Sequence, residues 1–283
     1  MRILILGGDG MLGHRLLKSF SPRHVTKVTL RKGLETYESS GFFNEANSYP
    51  GVDVLAPGRL AGVLSDFRPE AVINAIGIVK QILATRENVP VMEINARFPH
   101  RLADLCRATG AHLVHMSTDC VFSGKRGNYR ETDPADADDL YGRSKLLGEV
   151  RESNCLTLRT SIIGRELYNK RGLLEWFLSQ RGKVKGYRKA VFSGFSTLEM
   201  ARIIESLLTK HSDASGLYHV SSDPITKYDL LVMIRDAFGI QTEIEPDETI
   251  SCDRSLDSTR FRKEFGYAPP SWGSMIEELK TRL

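Results

Sequence analysis

Gly7, Gly10 and Gly13 stand at three-residue intervals in Gly7-Gly-Asp-Gly-Met-Leu-Gly13, between the apolar run Arg2-Ile-Leu-Ile-Leu6 and a stretch, Met11 to Phe20, with Leu12, Leu16, Leu17 and Phe20 at helical spacing. That order reads as strand, tight turn, amphipathic helix. Each glycine has its own use in such a turn. Gly7 lets the chain reverse sharply, Gly10 leaves out a Cβ where phosphates would approach, and Gly13 lets the helix seat closely on the sheet. The uncapped N–H groups and positive dipole end of the helix then suit a pyrophosphate. This feature constrains the chain more than any other, because it commits the first strand to a parallel sheet with a helical crossover.

The same rhythm continues. Val25 to Leu30, Ala71 to Ala75, His112 to Ser117 and Leu156 to Arg159 read as strands; Arg59 to Phe67, Pro90 to Thr109 and Leu140 to Ser153 read as helices between them. Apolar strands with almost no polar alternation require cover on both faces, as in a doubly wound parallel α/β (Rossmann) sheet. Beyond Thr160 the pattern loosens into helices over Gly172 to Gln180, Ser196 to Thr209 and Thr226 to Phe238, with short strands near Leu217 to Val220 and Thr242 to Glu245. Ser196-Thr-Leu-Glu199 is a capping box, and Thr226-Lys-Tyr-Asp229 is a second helix start. The expected division is a dinucleotide-binding domain over 1–160 and a smaller α+β substrate-binding domain over 161–283, interleaved at the boundary. Lys125 to Asp139 is the longest expected loop, and long loops in compact domains tend to be functional.

Composition narrows the classes. With 283 residues, 41% hydrophobic and 26% charged, the chain is an ordinary globular one and neither disordered nor fibrous. Its net charge of +4 is spread along the chain without a basic stripe, which disfavours nucleic acid as a partner. The four cysteines, Cys106, Cys120, Cys155 and Cys252, have neither paired nor zinc-ligand spacing, and the seven histidines show no metal-ligand spacing. No catalytic metal, no membrane span and a cytoplasmic location are the expectations, and a homodimer is the expected assembly.

At the end of the second strand, where an acidic residue would bind an adenosine ribose 2′-hydroxyl, the chain has Leu30-Arg31-Lys32. Two cations suit a 2′-phosphate instead, so NADP(H) is expected over NAD(H). Tyr141-Gly-Arg-Ser-Lys145 opens a helix and puts a phenol and an ammonium on one face. A tyrosine titrates at about 10, and a nearby ammonium stabilises the phenolate and brings proton exchange toward neutrality. Thr118 closes the strand before it, at the sheet edge where α/β folds place ligands. Thr118, Tyr141 and Lys145 are therefore the candidate catalytic residues.

These blocks, with Ile73-Asn-Ala-Ile-Gly77, Asn95, Ser117-Thr-Asp-Cys-Val-Phe-Ser-Gly124, Tyr141-Gly-Arg-Ser-Lys-Leu-Leu-Gly-Glu149 and Leu158-Arg-Thr-Ser161, resemble the extended short-chain dehydrogenase/reductase superfamily over nearly the whole chain. Within it the chain is similar to the dTDP-4-dehydrorhamnose reductases and related nucleotide-sugar reductases. The resemblance implies that Thr118 orients a substrate ketone, Tyr141 protonates it, and Lys145 tunes Tyr141 and binds the nicotinamide ribose. It implies a cofactor site of Gly7, Gly10, Met11, Leu12, Gly13, Arg31, Lys32, Asp53, Val54, Asn74, Ala75, Gly77, Asn95, Tyr141 and Lys145. For the nucleotide-sugar substrate it implies Lys80, Thr118, Asp119, Tyr141 and Arg254, and the activity it implies is NADPH-dependent reduction of a 4-keto-6-deoxy sugar nucleotide for cell-surface polysaccharide.

Departures choose among relatives. Dehydratases carry an Asp-Glu pair after the threonine, whereas Asp119 is followed here by Cys120. Epimerising GDP-fucose synthases pair a cysteine at that position with a downstream histidine, and no histidine lies between His115 and His211. Cys120 therefore reads as a small apolar residue. Rhamnose-forming reductases commonly have Trp and an aromatic where this chain has Ile162 and Ile163. Lys80 and Gln81, which follow the strand Ala71 to Ala75, are candidate substrate contacts, Arg254 and Arg188 are candidate pyrophosphate partners, and Trp176 reads as core of the second domain. The alternatives are another epimerase/reductase of the superfamily, or a non-catalytic NADP-binding regulatory subunit.

Overall fold

The computed structural model describes residues 1–56, 58–79, 88–168 and 170–281. It divides the chain into two compact units, one made of Met1–Ser117, Asp139–Leu158 and Ala201–Leu217, the other of Thr118–Asp138, Arg159–Met200 and Tyr218–Leu283. The chain thus passes between the units several times.

The first unit is built on a parallel sheet. Its strands are β1 (Arg2–Leu6), β2 (Val25–Thr29), β3 (Ser48–Tyr49), β4 (Ala71–Asn74), β5 (His112–Thr118), β6 (Cys155–Thr160) and, much later in the chain, β10 (Gly216–His219). They lie in the order β10-β6-β5-β4-β1-β2-β3. The order reverses at β1 and β4, which run parallel with Leu6 opposite Asn74. Such a reversal opens a crevice at the carboxyl ends of the strands, where ligands bind in folds of this kind. The helices between are α1 (Gly13–Phe20), α2 (Arg59–Phe67), α3 (Asn88–Met92), α4 (Phe98–Thr109) and α5 (Leu140–Leu147). Leu60, Val63, Leu64 and Phe67 of α2 and Phe98, Leu102 and Cys106 of α4 form one buried cluster with Leu4, Leu6, Val72 and Leu113 of the sheet. Each such side chain contributes roughly 1.5–3 kcal/mol on burial, which outweighs the weak helix propensity of these short segments.

Two helices differ from the expectation. The one expected over 90–109 is interrupted by a π-helical turn, Glu93–Arg97, between α3 and α4. The one expected over 140–153 closes at Leu147, and at the next residue, Gly148, a Cβ would lie 2.0 Å from the carbonyl oxygen of Asn95.

The second unit carries β7 (Ile162–Ile163), α6 (Leu173–Ser179), β8 (Lys183–Phe192), β9 (Phe195–Ser196), the start of α7 (Thr197–Lys210), β11 (Ile225–Thr226), α8 (Lys227–Phe238), β12 (Glu243–Asp253), α9 (Thr259–Glu264) and α10 (Trp272–Thr281). A three-stranded sheet runs in the order β11-β8-β12, with β8 and β12 parallel. Ion pairs join their charged faces: Lys185 to Asp247 at 2.9 Å and Lys189 to Glu248 at 2.9 Å. The loop over 125–139 is pinned at Tyr129, whose N–H donates to the Ser255 carbonyl at 2.9 Å and whose ring stacks on Phe122 at 4.2 Å. Trp176, expected in the core, is 38% exposed, while Leu174 and Phe177 on the same helix are fully buried.

Both helix starts form as expected, with the Glu199 N–H donating to Ser196 Oγ at 3.1 Å and the Asp229 N–H to Thr226 Oγ1 at 3.0 Å. Thr226→Ala should cost about 1 kcal/mol. In a thermal melt that is a fall of about 2–4 °C for a chain of this size, and an unchanged melt would contradict the cap.

Candidate functional site

The glycine turn is packed as tightly as glycine permits. Gly7 has φ +82°, in the left-handed region. A Cβ on Gly13 would fall 2.0 Å from the Gly7 carbonyl oxygen, and one on Gly8 would fall 2.6 Å from the Val28 side chain. Gly10 by contrast is exposed, and a Cβ there would meet nothing closer than the Gly7 oxygen at 3.3 Å. Leu12 is the N-cap of α1; no side chain caps the helix and its first turn has no acidic residue. An open glycine face against an uncapped helix N-terminus fits a pyrophosphate. Arg31 and Lys32 are exposed just beyond β2, and Tyr37 packs beside them, donating to Asp9 Oδ2 at 3.4 Å. Asp53 and Val54 are half-buried; Asp53 Oδ1 accepts from the Leu55 N–H and the Val54 carbonyl from Arg101.

At the end of β4 a second group of residues gathers around one buried amide. Asn95, in the π-helical turn, accepts from the Ile78 N–H at 2.8 Å and donates to the Ile78 carbonyl at 2.9 Å and to Ser144 Oγ at 3.2 Å. The inserted residue of a π-turn re-aims a side chain, and such turns are frequent at functional sites. Asn74 is fully buried; its Oδ1 accepts from the Ile76 N–H at 3.2 Å, and its Nδ2 lies 3.1 Å from His115 Nδ1. Since the amide nitrogen donates, His115 is the Nε2–H tautomer. Burial, then the Lys145 charge, holds His115 well below the usual imidazole range, so it is neutral.

Lys145 reaches into the same region. It is 5% exposed, and its ammonium donates to the Met116 carbonyl at 2.7 Å. A Cβ on Gly77 would lie 4.0 Å from Lys145 Nζ and 3.6 Å from Asn95 Oδ1, so the bare face of Gly77 looks onto both. Burial lowers the Lys145 pKa from the ordinary 10.5 to about 8, with the Glu149 charge acting the other way. Glu149 in turn accepts from Ser117 Oγ at 2.8 Å. Tyr141 is half-buried one turn before Lys145 on α5, a helix whose start is capped by Asp139 accepting from the Gly142 N–H at 2.8 Å.

In the second unit, Thr118 Oγ1 accepts from the Cys120 N–H at 3.1 Å and donates to Asp119 Oδ1 at 3.2 Å. Burial raises the Asp119 carboxyl above its ordinary value, opposed first by Arg254. Arg254 itself donates from Nε to the Phe122 carbonyl at 2.7 Å. Burial pushes the Cys120 thiol up to about 12, so it is no thiolate at neutral pH. Arg188 lies over the Tyr228 ring at 4.8 Å. Lys80 and Gln81 lie outside the described residues. The structure therefore gathers the glycine turn, Asn74, Gly77, Asn95, Tyr141 and Lys145 in one unit, and Thr118, Asp119 and Arg254 in the other. Glu149, Ser144 and His115 carry no role in the sequence reading; the available signal is a polar residue inside an otherwise apolar strand or on a Lys145 helix stripe. Among the described residues no group of three or more His, Cys, Asp or Glu is placed to hold a metal ion, and no helix is long and apolar enough to cross a membrane.

The family model described as RmlD substrate binding domain matches residues 1–283. Over 99% of this chain and 98% of its own length, a dTDP-4-dehydrorhamnose reductase of Aggregatibacter actinomycetemcomitans is 24% identical. Methionine adenosyltransferase 2 subunit beta of Danio rerio is 26% identical over 84% of this chain and 74% of its own. Among solved structures, a dTDP-4-dehydrorhamnose reductase from Bacillus anthracis in complex with NADP shares the fold with a TM-score of 0.81 at 21% identity, covering 99% of both chains.

Gly13→Ala should destabilise the chain by about 1–3 kcal/mol, because the new methyl must displace the Gly7 carbonyl. Urea unfolding checks this, and an unchanged midpoint would mean that the helix is not seated on the turn.

Proposed function

The chain belongs to the RmlD substrate binding domain family, and from that premise we propose that it is an NADPH-dependent reductase of the 4-keto group of a nucleotide-activated 6-deoxysugar. The observation that carries this reading is the placing of Lys145: a buried ammonium facing Gly77 and Asn95 in the same unit as the open glycine turn. Burying a lysine costs several kcal/mol before its partners offset it, and titratable groups perturbed by burial cluster at functional sites.

In this reading Gly10 and the N-terminus of α1 would hold the pyrophosphate, Arg31 and Lys32 would hold the 2′-phosphate, and Asp53, Val54, Asn74, Ala75, Gly77 and Asn95 would line the remainder. When bound, the reduced nicotinamide supplies the hydride. Tyr141 gives its hydroxyl proton to the carbonyl oxygen as that oxygen gains charge, and the Lys145 ammonium stabilises the phenolate left behind. Thr118 turns its hydroxyl from Asp119 to the carbonyl and orients it, while Asp119 and Arg254 contact the substrate. The raised Cys120 thiol, with no histidine downstream of it before His211, supports reduction over epimerisation. A cytoplasmic homodimer is part of the same proposal.

Similarity to methionine adenosyltransferase 2 subunit beta favours a second reading, a dinucleotide-binding regulatory subunit without turnover of its own. Tyr141→Phe separates the two. It should lower NADPH oxidation with a 4-keto sugar nucleotide by several orders of magnitude while NADPH affinity stays within about twofold. Wild-type protein that binds NADPH and never oxidises it would support the regulatory reading. Replacing Arg31 and Lys32 together by Ser and Asp should invert the NADPH over NADH preference in kcat/KM, and a preference unchanged would remove both residues from the 2′-phosphate site.

A further inference from the structure

The last turn of α5 and the residues after it tie the strand ending at Thr118 to the helix carrying Tyr141 and Lys145. Glu149 lies one turn beyond Lys145, its side chain 2% exposed, and its Oε1 accepts the Ser117 hydroxyl at 2.8 Å. Ser117 directly precedes Thr118, and Met116, directly before it, supplies the carbonyl that receives the Lys145 ammonium at 2.7 Å. Two bonds of opposite polarity therefore join adjacent residues of β5 to α5 and to the segment just after it. One carries the lysine charge and the other the carboxylate. Arg151 is a weaker partner, 59% exposed and 3.5 Å from the second oxygen.

We propose that Glu149 is a positioning residue for the reaction: its carboxylate clamps the end of β5 to the Tyr141–Lys145 helix and supplies the counter-charge that keeps Lys145 an ammonium. The proposal rests on the reading of Lys145 as the residue that tunes Tyr141. Without the counter-charge, the Met116 carbonyl is left to oppose burial, and a neutral amine does not stabilise a phenolate. The other titratable and charged groups around the pair are His115 on β5, held neutral by burial, His100 on α4, Tyr141 on α5 itself and Arg151 beyond it. Two of these are imidazoles, one is a phenol and one a guanidinium, which leaves Glu149 as the carboxylate among them.

The Lys145 titration in full-length protein carrying labelled lysine, followed by NMR and assigned with Lys145→Met, tests this directly. Wild type should titrate near 8. Glu149→Gln keeps an oxygen for Ser117 and removes the charge, and should lower the midpoint by about one unit, with the alkaline limb of kcat/KM moving by the same amount. Glu149→Asp keeps the charge and withdraws it from Ser117; it should hold the midpoint within about 0.3 unit and lower kcat with KM unchanged. A folded Gln variant with an unmoved midpoint overturns the proposal, and so does an Asp variant with wild-type kcat. If the Gln variant does not fold, the Asp variant decides. The midpoint is read without substrate or cofactor, so a chain that turned over no sugar nucleotide would sink the reductase reading and leave the coupling of Glu149 to Lys145 to be judged separately.

Discussion

The proposed site is organised around the buried ammonium of Lys145 in the first unit. Removing an ammonium from water costs several kcal/mol even after relaxation, and the structure offsets that cost with one carbonyl at 2.7 Å and a carboxylate one turn away. The balance leaves Lys145 at about 8, low enough to register its burial and high enough to stay charged at neutral pH. Fuller burial without Glu149 would neutralise it, and full exposure would let water screen it from the phenol. In the proposed reading, the charge acts on Tyr141 because it sits between those limits.

The backbone around this charge is built to let elements approach closely. Gly148 allows the end of α5 to meet the carbonyl of Asn95, Gly77 leaves its face bare toward Lys145, and Gly13 seats α1 on Gly7. Asn95 then spans the gap, gripping both the N–H and the carbonyl of Ile78 while holding Ser144 on α5. Asn74 is gripped in the same way by Ile76 and His115. These amides fix the segment leaving β4, the side of the crevice nearest the glycine turn, without adding charge that would compete with Lys145.

The parallel sheet was legible because its strands are apolar runs bounded by glycine or polar turns, and the two caps because Ser196 and Thr226 stand directly before apolar periodicity. β8 was not legible. Lys183, Lys185 and Lys189 give it a charged face whose partners, Glu243, Glu245, Asp247 and Glu248, lie some sixty residues away on β12, so no local pattern signals the strand. The close approach of Gly148, just past the end of α5, to Asn95 is a contact that spacing along the chain does not reveal. Trp176 misled because its size suggests burial, while Leu174 and Phe177 fill the core beside it. Tyr141, Lys145 and the glycines were readable as residue types at fixed spacings. Glu149, Ser117 and His115 gain their meaning only when β5 and α5 lie side by side.

The account depends on hydride reaching a sugar carbon in a site organised around Lys145, and isotope transfer measures that most directly. With NADPH carrying deuterium on the transferred face of the nicotinamide and a 4-keto-6-deoxy sugar nucleotide as acceptor, the product should carry one deuterium at carbon 4. Product without deuterium, or bound cofactor that keeps its label with no product formed, would contradict it.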